Sequence, residues 1–206
     1  MIQPIAYLLA AFLLGSLPFG LWITRLVRGV DVREHGSGNI GATNVRRVAG
    51  TGWGIVALAL DVAKGWVAVA LLPGALGLAG AGAGGRWPVA GAVAATAGHV
   101  FSPWLGFRGG KGVATFIGAA GALCPPAAGI AIAAFVLALA AWRYVSLGSM
   151  IMVMVYPLAV LAVLRTPLRT PAAIAGAVLA ILIAWRHRAN WKRLARGEES
   201  KLGRRR

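Results

Sequence analysis

A chain of 206 residues that is 59% hydrophobic and only 13% charged, with a mean hydropathy of +0.76, has too little polar surface for a soluble domain and reads as a single polytopic helical membrane domain, basic at its C-terminal tail from about residue 186. Twenty-one Lys and Arg against five acids give a formal charge of +16, which attracts anionic lipid headgroups and phosphorylated small molecules alike. The cations lie in short connections and a tail, with no soluble module to read bases, which argues against nucleic acid; one cysteine, Cys124, rules out an internal disulfide or a cysteine-cluster metal site.

A spanning helix needs roughly 20 apolar residues to cross a hydrocarbon layer about 30 Å thick. That ruler predicts an all-α membrane protein of about seven spans, near Ile5 to Ile23, Trp53 to Leu72, Trp87 to Leu105, Val113 to Cys124, Pro126 to Trp142, Leu147 to Leu164 and Pro171 to Trp185. The fourth is short, and Pro125-Pro126 marks either a kink or a re-entrant hairpin, because proline removes a helical donor and clashes with the preceding turn. No basic residue precedes the first run, and Arg25 and Arg28 follow it, so it reads as a retained helix entering from outside.

Short Lys/Arg-rich loops stay on the cytoplasmic side. One set of alternate connections holds 17 cations: Arg25, Arg28, Arg33, Arg46, Arg47, Arg108, Lys111, Arg143 and nine from Arg186 to Arg206. The other holds Arg86, Arg165 and Arg169, and Lys64 lies inside the second span. The asymmetry predicts an N-terminus outside and a C-terminus in the cytoplasm, with every glycine-rich polar motif on the cytoplasmic face.

The first such motif is HGSGNIGATNVRR, His35 to Arg47. Ser37, Asn39, Thr43 and Asn44 can each hydrogen-bond an oxyanion or cap the next helix, while Gly36, Gly38 and Gly41 let the backbone fold closely around a ligand. The segment also fits G-x-G-x-x-G, with Asp61 twenty residues past Gly41, but no apolar strand precedes it and Asp61 lies in a span, so the dinucleotide fingerprint fails on context. Asp61 and Lys64, three apart in that span, should form an intramembrane ion pair.

The second motif, GHVFSPWLGFRGGKGVAT from Gly98 to Thr115, sets a Gly-Gly-Lys-Gly turn and Arg108 between two apolar runs. Consecutive glycines allow backbone N–H groups to crowd around phosphate oxygens, and Lys111 supplies a mobile charge. The turn is no Walker loop, since Leu105 occupies the required first glycine position and Gly112 follows the lysine. His99 either serves this site or is bonded to a neighbouring backbone group.

RYVSLGS, Arg143 to Ser149, brings Ser146 and Ser149 to the same side; either hydroxyl can instead bond back to its own helix. The last motif is WRHRANWKRLARGEES, Trp185 to Ser200, in which His187 and Asn190 are three apart on one helix face. Arg188, Lys192, Arg196 and Arg204 to Arg206 read as an interfacial basic segment against anionic lipid. The three histidines and five acids offer no metal-ligand spacing, no G-x-S-x-G occurs, and the positions five after each histidine are Ile40, Trp104 and Lys192, so a His-x4-Asp acyltransferase centre is excluded.

Ser37 to Arg47, Gly98 to Thr115 and His187 to Glu199 together resemble the signatures SGNxGATNxxR, GHxxPxxxxFxGGKGVAT and HRxNxxRLxxGxE of the bacterial integral-membrane acyl-phosphate:glycerol-3-phosphate acyltransferases, with Pro103 one place late in the second. The resemblance covers nearly the whole chain. It implies a seven-helix enzyme of the bacterial cytoplasmic membrane that moves an acyl group from acyl phosphate to the 1-hydroxyl of glycerol 3-phosphate, giving 1-acyl-glycerol 3-phosphate and inorganic phosphate in the first step of phospholipid synthesis, with no cofactor or metal. Carried over by motif position, Ser37, Arg47, Lys111, His187 and Asn190 are catalytic candidates. Gly38, Asn39, Thr43, Asn44, Gly109, Gly110, Gly112, Ser146 and Ser149 are substrate-binding candidates, and Glu199 anchors the C-terminal segment through a loop arginine. An acyl phosphate is an activated mixed anhydride, so orienting two anions and stabilising charge on the leaving phosphate would supply most of the catalysis. The hydroxyl proton would go to the substrate's own phosphate or to His187. A membrane carrier for phosphate or an organophosphate is the alternative, although no paired internal repeat is visible and the polar motifs gather on one face.

Overall fold

The computed structural model describes residues 2–78, 85–165 and 170–203; Arg169 and Arg204 to Arg206, counted in the charge argument, lie outside them. The described residues are helical, without strands: α1 Ile2–Ser16, α2 Phe19–Arg28, α3 Ala42–Ala49, α4 Thr51–Ala70, α5 Leu72–Ala75, α6 Arg86–Val100, α7 Val113–Leu123, α8 Pro125–Trp142, α9 Val145–Leu164, α10 Pro171–Arg186 and α11 Arg188–Ala195. They fall into two compact units, 1–123 and 124–206.

Four stretches among the described residues are long and apolar enough to cross a membrane, namely Ile2–Arg28, Thr51–Ala70, Pro125–Trp142 and Val145–Leu164; the pair α10 and α11, bent by 59°, makes a fifth if taken as one span. The sequence ruler differs from this at three places. The first span is broken at Leu17-Pro18, because Pro18 has no N–H to continue the ladder. The third ends as a helix at Val100, five residues early, and α7 has only 11 residues. The break at Cys124 is placed by Pro125, which occupies the first turn of α8, where its missing N–H costs nothing.

Within the first unit, short helices compensate for length by approaching closely. A Cβ on Gly15 would overlap the Ala95 backbone and one on Gly98 the Phe12 carbonyl, so α1 and α6 meet backbone to backbone. Gly65 and Gly118 do the same for α4 and α7, against Thr115 and Val62. The buried Tyr7 hydroxyl donates to the Ala68 carbonyl at 2.9 Å, tying α1 to α4. In the second unit α9 packs against α8 and α10, with Gly148 accommodating the Phe135 ring. Leu137, Leu158 and Ile181 stand 71, 65 and 69% exposed along these helices, which water would penalise and lipid does not.

Candidate functional site

The first-motif loop is assembled by its own polar groups. Asp31 caps the short 3-10 turn Val32–Glu34 by accepting from the Arg33 N–H at 3.0 Å, and its carboxylate pairs with Arg33 at 2.7 Å and Arg25 at 2.9 Å. The Arg33 guanidinium, helped by Arg25, holds this carboxyl well below the usual carboxylate range despite partial desolvation. Asn44, 1% exposed at the start of α3, accepts from the Ser37 N–H at 2.8 Å and donates to the Val32 and His35 carbonyls at 3.0 and 2.9 Å. Gly36 sits at φ +62 with its missing Cβ replaced by the Asn44 amide oxygen, so this position demands glycine. Asn39 accepts from the Gly41 N–H at 2.9 Å. The sequence proposed both asparagines as ligands; the structure gives their side chains the work of folding the loop. Ser37, Gly38 and Arg47 stand exposed and Thr43 half-buried, with Thr43 and Arg47 one turn apart on α3.

The second-motif loop is fastened at its start, where the Ser102 hydroxyl donates to the Ser16 carbonyl at 2.7 Å and the Trp104 indole N–H to the Ser16 hydroxyl at 2.8 Å. Its glycines differ from expectation. The N–H groups of Gly109 and Gly110 are donated to the Val100 and His99 carbonyls, both at 3.0 Å, and a Cβ on either would overlap His99. These two glycines press the turn onto the end of α6 and do not point their N–H groups at a ligand. Gly112, at φ +83, turns the chain into α7, which begins at Val113, so the half-buried Lys111 stands just ahead of a helix N-terminus. That pairing of an ammonium with the positive end of a helix dipole suits a phosphate.

Both loops border one open cleft of about 550 Å³, lined by Arg33, Glu34 and Gly38 from the first and Leu105, Gly106 and Arg108 from the second. Leu105 belongs to the same apolar cluster as Val32, Ile40 and Val45, which holds the two loops to a common bed. Arg33 pairs with Asp31, Glu34 adds a carboxylate to the same wall, and Arg108 forms no ion pair with an acid among the described residues, so the cleft carries both signs of charge with Arg108 on the second-loop side. The sequence singled out Arg108 but not Arg33, Glu34, Leu105 or Gly106, since nothing in their spacing reveals that two distant loops share a wall.

In the second unit Glu199 gathers the polar residues. Its Oε1 accepts from the Ser146 hydroxyl at 2.8 Å and the Asn190 amide at 2.7 Å, and its Oε2 from Arg193 Nε at 2.7 Å. The arginine partner lies on α11 and not in a loop: Gly197, at φ +70, reverses the chain and returns Glu199 onto the helix it has just left. Ser149 bonds back to the Val145 carbonyl at 2.8 Å. His187 sits at the bend between α10 and α11, buried, with Nδ1 2.8 Å from the Ile183 carbonyl; a carbonyl only accepts, so Nδ1 carries the proton.

In the first unit the anticipated ion pair is present, Lys64 Nζ lying 2.8 Å from Asp61 Oδ1, and His99 joins it. Among the described residues no group of three His, Cys, Asp or Glu could hold a metal ion.

Apolar helices of membrane-crossing length joined by glycine-built loops that carry cations define a helical membrane protein. The glycerol-3-phosphate acyltransferase family model matches residues 5–197. A glycerol-3-phosphate acyltransferase of Anaeromyxobacter dehalogenans is 47% identical over 193 residues, covering 94% of each chain, and one of Halalkalibacterium halodurans is 43% identical over 202 residues, 95% of this chain and 94% of that one. The crystal structure of PlsY (YgiH), an integral membrane glycerol 3-phosphate acyltransferase, in its glycerol 3-phosphate form superposes with a TM-score of 0.87 at 34% identity, covering 97% of this chain and 96% of that one; the lysophosphatidic acid form gives 0.85. The chain belongs to the glycerol-3-phosphate acyltransferase family, and its place is in phospholipid biosynthesis.

Proposed function

We propose that this protein transfers an acyl group from acyl phosphate to the 1-hydroxyl of glycerol 3-phosphate, releasing lysophosphatidic acid and inorganic phosphate. The observation that carries the reading is the meeting of the first and second motifs at one cleft that holds Arg33 and Arg108, the latter in the same loop as Lys111, just ahead of α7. A dianionic acceptor and an acyl phosphate donor both need such charge, and the donor is activated enough to react without a protein nucleophile. Lys111, Ser37 and Arg47 take the phosphate-binding and charge-stabilising roles. His187, its Nδ1 proton held by the Ile183 carbonyl, is the protein-base alternative to the substrate's own phosphate, and Glu199 fixes Asn190 and Ser146. The glycerol 3-phosphate form of a 34% identical neighbour supports the acceptor, and its lysophosphatidic acid form the product.

In detergent, purified protein given acyl phosphate should release phosphate only when glycerol 3-phosphate is added. A phosphate burst without acceptor, or labelled acyl chain trapped on Ser37, would show an acyl-enzyme and overturn direct transfer. A carrier would release none and would need a sealed membrane.

The proposed setting is the bacterial cytoplasmic membrane, crossed seven times, with the N-terminus outside and the site facing the cytoplasm. The 17-to-3 cation asymmetry supports it. With the buried Cys124 replaced by alanine, a thiol at Lys201 should react with impermeant reagent only in inverted vesicles, and one at Gly74 only in intact cells. The reverse pattern would invert the topology.

A further inference from the structure

Lys64 is 2% exposed inside the first unit and touches three acceptors. Its Nζ lies 2.8 Å from Asp61 Oδ1, 2.9 Å from the Leu17 carbonyl and 2.9 Å from His99 Nδ1. An ammonium has three protons and no lone pair, so it donates to the Leu17 carbonyl and to a His99 Nδ1 that is unprotonated, while Asp61 Oδ1 meets it as an ion-pair contact without a hydrogen bond. The imidazole is thereby fixed with its proton on Nε2, the tautomer opposite to that of His187. Asp61 Oδ1, 3.7 Å from His99 Nδ1, balances the ammonium, and the group is neutral overall. Leu17 reaches Lys64 because the chain breaks at Pro18, turning that carbonyl out of the helix ladder.

The other edge of the His99 ring faces the glycine turn. Nε2 is the atom a Cβ on Gly110 would strike first, and the His99 carbonyl accepts from the Gly110 N–H at 3.0 Å. One residue of α6 therefore clasps Gly110 by both ring and backbone, next to Lys111. Packing alone does not require a buried ammonium and carboxylate here, since leucine and methionine would fill the space without the cost of desolvating two charges.

We propose that Asp61, Lys64 and His99 form a positioning relay that holds the His99 ring in one tautomer and rotamer and so sets the pose of the Gly109 to Gly112 turn for substrate phosphate. The relay rests on the reading of that turn as a phosphate site. None of its three members is placed in contact with substrate.

An asparagine at 99 keeps an acceptor where Nδ1 lies but loses the ring edge at Gly110, whereas the Asp61→Asn, Lys64→Met double variant keeps the ring but removes the donor that holds Nδ1. His99→Asn should therefore raise KM for glycerol 3-phosphate roughly tenfold or more with little loss of melting temperature, because misplacing a binding group by about 1 Å is that costly. The kcat should stay within about threefold, and the Asp61→Asn, Lys64→Met double variant, which leaves no lone buried charge, should raise KM in the same direction. An unchanged KM in His99→Asn, or in a folded Asp61→Asn, Lys64→Met protein, would overturn the relay.

If His99→Asn does not fold, Gly110→Ala probes the same contact from the other side. It should raise KM comparably, and the smaller side chain of His99→Ala in the double variant should relieve it; strictly additive effects would overturn the proposal. Lys111→Ala separates the two levels. Wild-type kinetics there would sink the phosphate reading and the relay with it, while lost activity there beside a silent His99→Asn would sink the relay alone.

Discussion

Lys111→Ala is expected to lower kcat/KM by about 100-fold or more, the loss typical of removing one preorganised charge-stabilising group. The expectation follows from position. Lys111 follows two glycines that are pressed onto α6 and stands two residues before α7, a helix end whose dipole favours an anion as the lysine charge does. Alanine removes the charge and leaves the turn's backbone bonds in place, so the protein should fold. Lys111→Arg should recover only part of the rate, because a planar fork cannot occupy the site of a compact ammonium. Steady-state kinetics at varied glycerol 3-phosphate test this, and near-normal turnover in a folded Lys111→Ala protein would remove Lys111 from the site.

Glu199→Ala should be the most destabilising single change in the second unit. The carboxylate is 9% exposed and takes hydrogen bonds from Ser146, Asn190 and Arg193. Truncating it leaves the Ser146 and Asn190 donors without their acceptor, while the half-exposed Arg193 turns to water, a loss of about 2 kcal/mol, read as a melting temperature lower by roughly 4–8 °C in detergent. The pH dependence has a definite sign. Burial raises the pKa of this carboxyl, but the bonds from Asn190, Ser146 and Arg193 outweigh burial and hold it below its ordinary 4.5. A depressed folded-state pKa gives stabilisation that is complete above the ordinary value and is lost as pH falls through the folded one. Wild type and Glu199→Ala should thus differ fully at pH 7 and converge in acid; equal melting at pH 7 would show that the cluster holds nothing together.

The helical class and the apolar runs were legible because hydropathy is a local property. Span lengths were less so. The ruler cannot tell lipid contact from burial by protein, and α6 and α7 are short helices that fit through glycine-mediated contacts with α1 and α4. The Asp61–Lys64 pair was legible from its spacing of three; His99 as their third member was not, being 35 residues from Lys64.

The sequence by itself determined the family, the three motifs and the cationic loops, since each is a run of neighbouring residues whose chemistry is carried in the run. Tertiary structure alone decided which polar groups remain for a ligand. Gly109 and Gly110, attractive as a phosphate nest, donate to the carbonyls that end α6, and Asn44, attractive as a ligand, satisfies Val32, His35 and Ser37. A hydrogen-bonding group declares its type in the sequence, but its partner is set by what folds beside it, and a buried N–H or amide must be satisfied there. Arg108 and Lys111 are the cations this turn contributes to the proposed phosphate site, while Gly109, Gly110 and Asn44 build the loops around it.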